Sequence, residues 1–461
     1  MKKVVTIVLM LSIFLAFCGM IWKRVITNAN PRKVALITDI GDIDDGGFNQ
    51  ASWEAIQKYC NKRKISYEYY RPSSDTNIAI HEQIRVAVKN GAEIIVCPGF
   101  KFSEVVAEAQ KKFKNVHFVL LDAETTSEVC DNTVCIQYEM EISGFLAGYT
   151  VAQDLMKYDL EKQRAIKPNY GYGYIGGMAN AGVYPFGFGF ISGVINGTND
   201  FVKKHNCKRP FITINYNYAG VFSQDDNAVS RVKGWYMGDG RNKIDVVFVC
   251  GGKLYQSIVE AAKYCNKMRD FNLDSDKDLR NAARWIGVDA DQYLALKEEE
   301  EKKICYTSAL KNIGVSIETV FDYHFSGRWD YIGGPYSDNK KAWVAGLGFF
   351  LGRKGNDDKL NQLKNYVGIP VITQNSKESA DENERILRCF FNFKIGEYKE
   401  VEDLIIKGQY KIFNGFNSFG GYNGDADKNR GNPKFMNKNK EFSDAFFGGY
   451  DIDKYHIALY E

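Results

Sequence analysis

From residue 33 onward, short runs of β-branched and apolar residues alternate with longer segments whose apolar positions recur at helical spacing. That is the pattern of parallel strands joined by right-handed helical crossovers. In the first half it predicts strands at 33–38, 66–70, 93–98, 116–122 and 134–138, with helices between them such as 52–62 and 77–90. Each strand is nearly all apolar, as a sheet covered on both faces requires. After a polar stretch at 153–168 the alternation restarts, with strands at 172–176, 211–215, 245–250, 285–289 and 304–310. The fold class is therefore α/β: two Rossmann-like open-sheet lobes around a cleft, with a C-terminal extension. The lobes are expected at 32–150 and 165–300, and 301–325 is expected to cross back toward lobe 1. Residues 326–461 form an extension without a clear core, because 352–385 is largely polar and charged and 414–432 is rich in Gly, Asn and Asp. Open sheets of this kind take ligands beyond the C-terminal ends of their strands.

Lys2 and Lys3 precede Val4 to Trp22, an uncharged run long enough for a secretory signal core or one membrane span. Residues 1–22 thus read as a signal or anchor segment. Leu15-Ala16-Phe17-Cys18 resembles a bacterial lipobox, which implies lipidation of Cys18 after cleavage; Phe17 stands where that pattern has a small residue, and the alternative is an uncleaved anchor. Both versions hold the protein at the outer face of the cytoplasmic membrane. At 461 residues, 45% hydrophobic and 25% charged, the chain is neither disordered nor a multi-span membrane protein. The net charge is +3, two units of it from Lys2 and Lys3, so no concentrated basic face for nucleic acid is expected. The ten cysteines include no CxxC pair; Cys130 and Cys135 flank a predicted loop and are candidates for a bridge, while Cys97 and Cys250 end apolar strands as buried thiols.

The most informative segment follows the first strand: Thr38-Asp39-Ile40-Gly41-Asp42-Ile43-Asp44-Asp45-Gly46-Gly47-Phe48-Asn49-Gln50. One reading is an acidic turn in which Asp44 or Asp45 caps the next helix. The other is a binding site, with Phe48 as a stacking face and Asp39 and Asn49 bonding hydroxyls or amides. Clustered aspartates here also suggest a metal-dependent nucleoside hydrolase, but its aspartate spacing is not matched: Gly41 stands where that family has a second Asp. His81, His117, His205, His324 and His456 all lie outside the motif loops, so no metal or catalytic group is assigned. Gly171-Tyr-Gly-Tyr-Ile-Gly176 matches GxGxxG but runs through a strand, so no dinucleotide cofactor is expected. In Asp245 to Gly252, two glycines end a strand just before a helix, which suits close backbone approach to a ligand at Gly252.

TDIGDIDDGGFNQASWEA resembles the opening of the basic membrane lipoproteins, the purine-nucleoside-receptor type of ABC-transporter binding protein. The resemblance continues through the segments around Asp122, Tyr218 to Phe222, Asp289 and Lys311, spanning about 32–325, and Ile406 to Phe413 resembles the family's closing segment. It implies a type I periplasmic-binding-protein-like architecture and a monomeric receptor that performs no chemistry. It further implies a base held between Phe48 and Phe222, with sugar contacts at Asp39, Asn49, Asp122, Asp289 and Lys311. The implied partners are a nucleoside, an ABC permease and the membrane. The chain departs from the family after Phe222, and 266–282 reads as an insertion. A same-fold receptor for a sugar or a flavin is the other binding alternative.

Overall fold

The computed structural model describes residues 33–336 apart from 40 and 45, together with 342–345, 367–369, 371–373, 385–387, 395–407, 409–410, 412 and 457–460. The leader with Cys18 and the predicted cap Asp45 lie outside the described residues.

The first lobe alternates strand and helix: β1 (Val34–Ile37), α1 (Phe48–Arg63), β2 (Tyr67–Tyr70), α2 (Asn77–Lys89), β3 (Ile94–Pro98), α3 (Ser103–Lys112), β4 (His117–Leu121) and β5 (Thr133–Tyr138). The strands pair in the order β5-β4-β3-β1-β2, every pairing parallel. Every residue of β1 and β3 is buried, because helices cover both faces.

The second lobe repeats the plan with α4 (Met140–Tyr158), β6 (Asn169–Gly176), α5 (Tyr184–His205), β7 (Phe211–Tyr218), α6 (Asp226–Met237), β8 (Val246–Cys250), α7 (Tyr255–Met268), α8 (Asp276–Asn281), β9 (Arg284–Asp289), α9 (Glu299–Ile304) and β10 (Cys305–Lys311). Its order, β10-β9-β8-β6-β7, is again parallel and places the reversal beside β6 as the first sheet places it beside β1. Helices α4 and α5 lie backbone to backbone: a Cβ on Gly193 would stand 2.1 Å from the Phe145 carbonyl oxygen. After β10 the chain returns to the first lobe as α10 (Ile313–Phe325), which packs on α1 through a Tyr59–Asp322 hydrogen bond of 2.8 Å and the edge-to-face Tyr59–Phe321 rings.

Among the later described segments, β11 (Trp343–Ala345) extends the first sheet beside β5, and β12 (Val367–Gly368) runs antiparallel to β10. Strands β13 (Val371–Thr373) and β14 (Arg385–Leu387) form a small ribbon, and helix α11 (Ile395–Ile406) follows. Finally β15 (Ile457–Tyr460) lies parallel to β7.

Three expectations are corrected. The polar stretch at 153–168 starts inside a helix: α4 continues into it as far as Tyr158, and Gln153, Asp154 and Asp159 are buried. Gln153 donates to the Gly197 carbonyl, Asp154 accepts the Tyr306 hydroxyl, and Asp159 accepts both the Tyr170 hydroxyl and a bidentate Arg280. Cys130 and Cys135 are not bridged to each other, Cys135 being buried within β5, where it packs into the core. Third, α1 has Gly47 at its N-cap without a side-chain bond, and the nearby Gly46 amide is taken by Gln50 Oε1 rather than by an aspartate.

Candidate functional site

Residues that follow the strand C-termini of both sheets line one cavity of about 630 Å3. Asp39 follows β1, Gly99 and Phe100 follow β3 and Asp122 follows β4; from the other lobe come Phe222 after β7, Gly251 and Gly252 after β8, Asp289 at the end of β9 and Lys311 at the end of β10. All eight residues singled out in the sequence, Asp39, Phe48, Asn49, Asp122, Phe222, Gly252, Asp289 and Lys311, line this one cavity. They converge because parallel strands present the same end of every strand to the same side of the sheet.

Lys311 is the electrostatic centre. Only 4% exposed, its Nζ lies 2.7 Å from Asp122 Oδ2 in the first lobe and 3.3 Å from Asp289 Oδ1 in its own, with the Gly182 carbonyl at 3.5 Å. Burial works against its charge, but Asp122 and Asp289 outweigh burial and hold the pKa of the ammonium above its ordinary value. The ammonium also stands 5.4 Å from the Phe48 ring centre and 5.1 Å from that of Phe186. Asp289 Oδ1, although within ion-pair distance, forms no hydrogen bond within the protein, which leaves an accepting oxygen unused at the cavity wall. Both Asp122 (φ 58°) and Asp289 (φ 64°) sit in the left-handed region, and strain of this kind, on the order of 1–3 kcal/mol per residue, gathers at binding sites.

Asp39 and Asn49 are joined to each other: Asp39 Oδ1 accepts from Asn49 Nδ2 and from the Gly41 amide, each at 2.7 Å. The loop is thereby folded onto the first turn of α1, which fixes Phe48 at the mouth. Opposite, Phe222 rests in a slot cut by glycines. A Cβ on Gly177 would come 2.4 Å from Phe222 Cδ1, and one on Gly252 (φ 40°) 2.9 Å from the Phe222 carbonyl oxygen. The close backbone approach anticipated at Gly252 is therefore made first to Phe222 itself.

The sequence reading missed several wall residues. Phe100 and Met178, one from each lobe, line the cavity although they are 55% and 41% exposed, and Arg71 pairs with Asp42 at 2.6 Å on the same wall. Phe100 and Met178 were findable, since each follows its strand, β3 or β6, by two residues as Asp39 follows β1; Gly182 carries no comparable signal. Among the described residues no group of three or more His, Cys, Asp or Glu side chains is arranged to hold a metal ion, and no helix is long and apolar enough to cross a membrane.

The family described as ABC transporter substrate-binding protein, PnrA-like, matches residues 32–336. A CD4+ T-cell-stimulating antigen of Listeria innocua is 24% identical over 294 residues, 62% of this chain and 71% of that protein. An ABC transporter nucleoside-binding protein, BmpA, of Lactococcus lactis is 25% identical over 306 residues, 64% of this chain and 76% of that one. Among solved structures, an ABC transporter solute-binding protein of Aeropyrum pernix superposes with a TM-score of 0.56 at 16% identity, covering 83% of this chain and 94% of its own.

Proposed function

Because this chain belongs to the PnrA-like family of ABC transporter substrate-binding proteins, we propose that it binds a nucleoside, a purine nucleoside in particular, between its two lobes and delivers it to an ABC permease. The observation that carries the reading is the pairing of one ring from each lobe, Phe48 and Phe222, with Asp122, Asp289 and Lys311 on a single cavity. A flat heterocycle stacked on such rings gains about 1–3 kcal/mol per contact, with little regard to which base it is. Ionised carboxylates accept hydrogen bonds only, so they suit ribose hydroxyls and repel a phosphate; nucleosides are favoured over nucleotides. Support for the ligand class comes from the name of the Lactococcus lactis relative. A ligand gripped from both sides binds the closed form better than the open one and so shifts the lobes toward closure, the state a permease reads. The protein acts from the outer face of the cytoplasmic membrane, tethered through residues 1–22 and, where that segment is cleaved, through lipid on Cys18.

Calorimetry with inosine, guanosine and adenosine, against ribose and riboflavin, tests the reading. Each of Phe48→Ala and Phe222→Ala is expected to weaken nucleoside binding by about 1–3 kcal/mol. Asp289→Asn, which keeps a residue tolerant of the left-handed turn, is expected to weaken it as well, each variant being compared at a temperature below its own thermal midpoint. The reading fails if no nucleoside binds, or if both ring variants bind as the wild type does. Release of free base from inosine would move the protein to the hydrolases instead.

A further inference from the structure

Gln292 lies three residues after Asp289 and is 1% exposed. Its backbone amide donates to Ser308 Oγ at 3.1 Å, and its Oε1 accepts from the Val288 amide at 3.1 Å, pinning the strand end from which the left-handed Asp289 turn departs. The other end of the carboxamide points to the opposite lobe. Nε2 donates to the carbonyl oxygen of Gly46 at 3.4 Å, in the loop two residues before Phe48. That loop is seated beside Gln292 on a firm wall: a Cβ on Gly46 would stand 3.4 Å from the Tyr255 hydroxyl oxygen, and the Tyr255 ring is stacked on Trp285 with centroids 5.7 Å apart and planes 14° apart. We propose that Gln292 is a positioning residue, one that ties the Asp289 turn of the second lobe to the Phe48 loop of the first, so that both halves of the site are aligned together when the lobes close. Only the identity of the ligand in this inference rests on the nucleoside reading.

The carboxamide does two separable jobs, and two variants part them. Gln292→Glu keeps an oxygen to accept from Val288 but sets an acceptor against the Gly46 carbonyl, whereas Gln292→Met loses both bonds. Deuterium exchange of the full chain without added nucleoside reads the tie directly. In Gln292→Glu, peptides over 41–50 are expected to exchange about two- to tenfold faster than in the wild type, the range one hydrogen bond commands, while 284–289 stays as protected as before. In Gln292→Met both segments speed up. A 41–50 segment as protected in Gln292→Glu as in the wild type would overturn the proposal. With nucleoside present, the dissociation rate of Gln292→Glu is expected to rise by a similar factor at an unchanged association rate, and an unchanged dissociation rate would equally overturn it. A wild type that binds no nucleoside refutes the functional reading, and the exchange comparison still decides the role of Gln292.

Discussion

Replacing Lys311 by methionine is expected to reduce nucleoside affinity by about 100-fold or more and to leave a protein that is less deficient in stability at pH 5 than at pH 8. Removing one partner of a buried ion pair costs about 3–5 kcal/mol, because the remaining charge has neither water nor counter-ion. Here two carboxylates lose the same partner, Asp122 at 2.7 Å and Asp289 at 3.3 Å. Asp122 already stands above the ordinary carboxylate pKa through burial, opposed by Lys311 and reinforced by Asp289. Without the lysine only the raising influences remain. A carboxylate whose pKa is higher folded than unfolded favours the folded state at low pH, and that contribution is lost as pH rises through the folded value. The variant's shortfall against wild type therefore shrinks on going from pH 8 to pH 5, which thermal unfolding at the two values checks. Methionine retains an unbranched apolar stem, so the loss reports the charge rather than a hole. An equal deficit at both pH values, or wild-type affinity by calorimetry, would refute the role given to Lys311.

The second large effect lies at the far end of the second sheet. Arg280→Met is expected to lower stability by about 3–5 kcal/mol, a fall in thermal midpoint on the order of 10 °C, while the folded protein keeps its nucleoside affinity. Arg280 is 1% exposed and holds Asp159 with two hydrogen bonds, at 3.1 and 2.8 Å, and its Nη1 stands 3.9 Å from Asp245. Burial pushes the Asp245 carboxyl up, but Lys167, Arg280 and Lys243 together overcome it and hold it below the ordinary value. A depressed carboxylate stabilises the fold above its unfolded pKa and ceases to do so as pH falls through the folded one. Losing Arg280 removes part of that contribution, so the variant's deficit is widest near neutral pH and narrows as pH falls through the folded value. Asp159 and Asp245 precede β6 and β8, at the strand ends opposite the cleft, which is why binding should survive. Denaturation with urea measures the first expectation and calorimetry the second; loss of binding in the folded variant would mean that the two ends of the lobe are coupled.

Arg280 also shows how far the chain could be read in advance. The segment 266–282 is recognisable in the sequence only as extra length, and 153–168 only as polar. Their meeting, Arg280 on Asp159 across 121 positions, puts these two charged side chains in the interior. Polarity predicts exposure only on average, since a buried charge is tolerated wherever a partner is delivered to it, and no local pattern reports which partner arrives.

What the sequence alone determined is the series of strands, their burial on both faces, and the rule that chemistry collects where parallel strands end. With the loop after the first strand, that rule pointed to Asp39, Phe48, Asn49 and Gly252, and the resemblance to the basic membrane lipoproteins added Asp122, Phe222, Asp289 and Lys311, before any of them had a position. What only the tertiary structure decided is who faces whom: Lys311 reaching Asp122 across the lobes, Asn49 turned onto Asp39, Phe222 laid on Gly177, and Gln292 extended to Gly46. The division has a physical cause. Hydrophobic period is a property of a few neighbouring residues and survives in the linear chain. Distance between side chains from different strands depends on sheet order and on how one lobe sits against the other, and those come into being only when the chain folds.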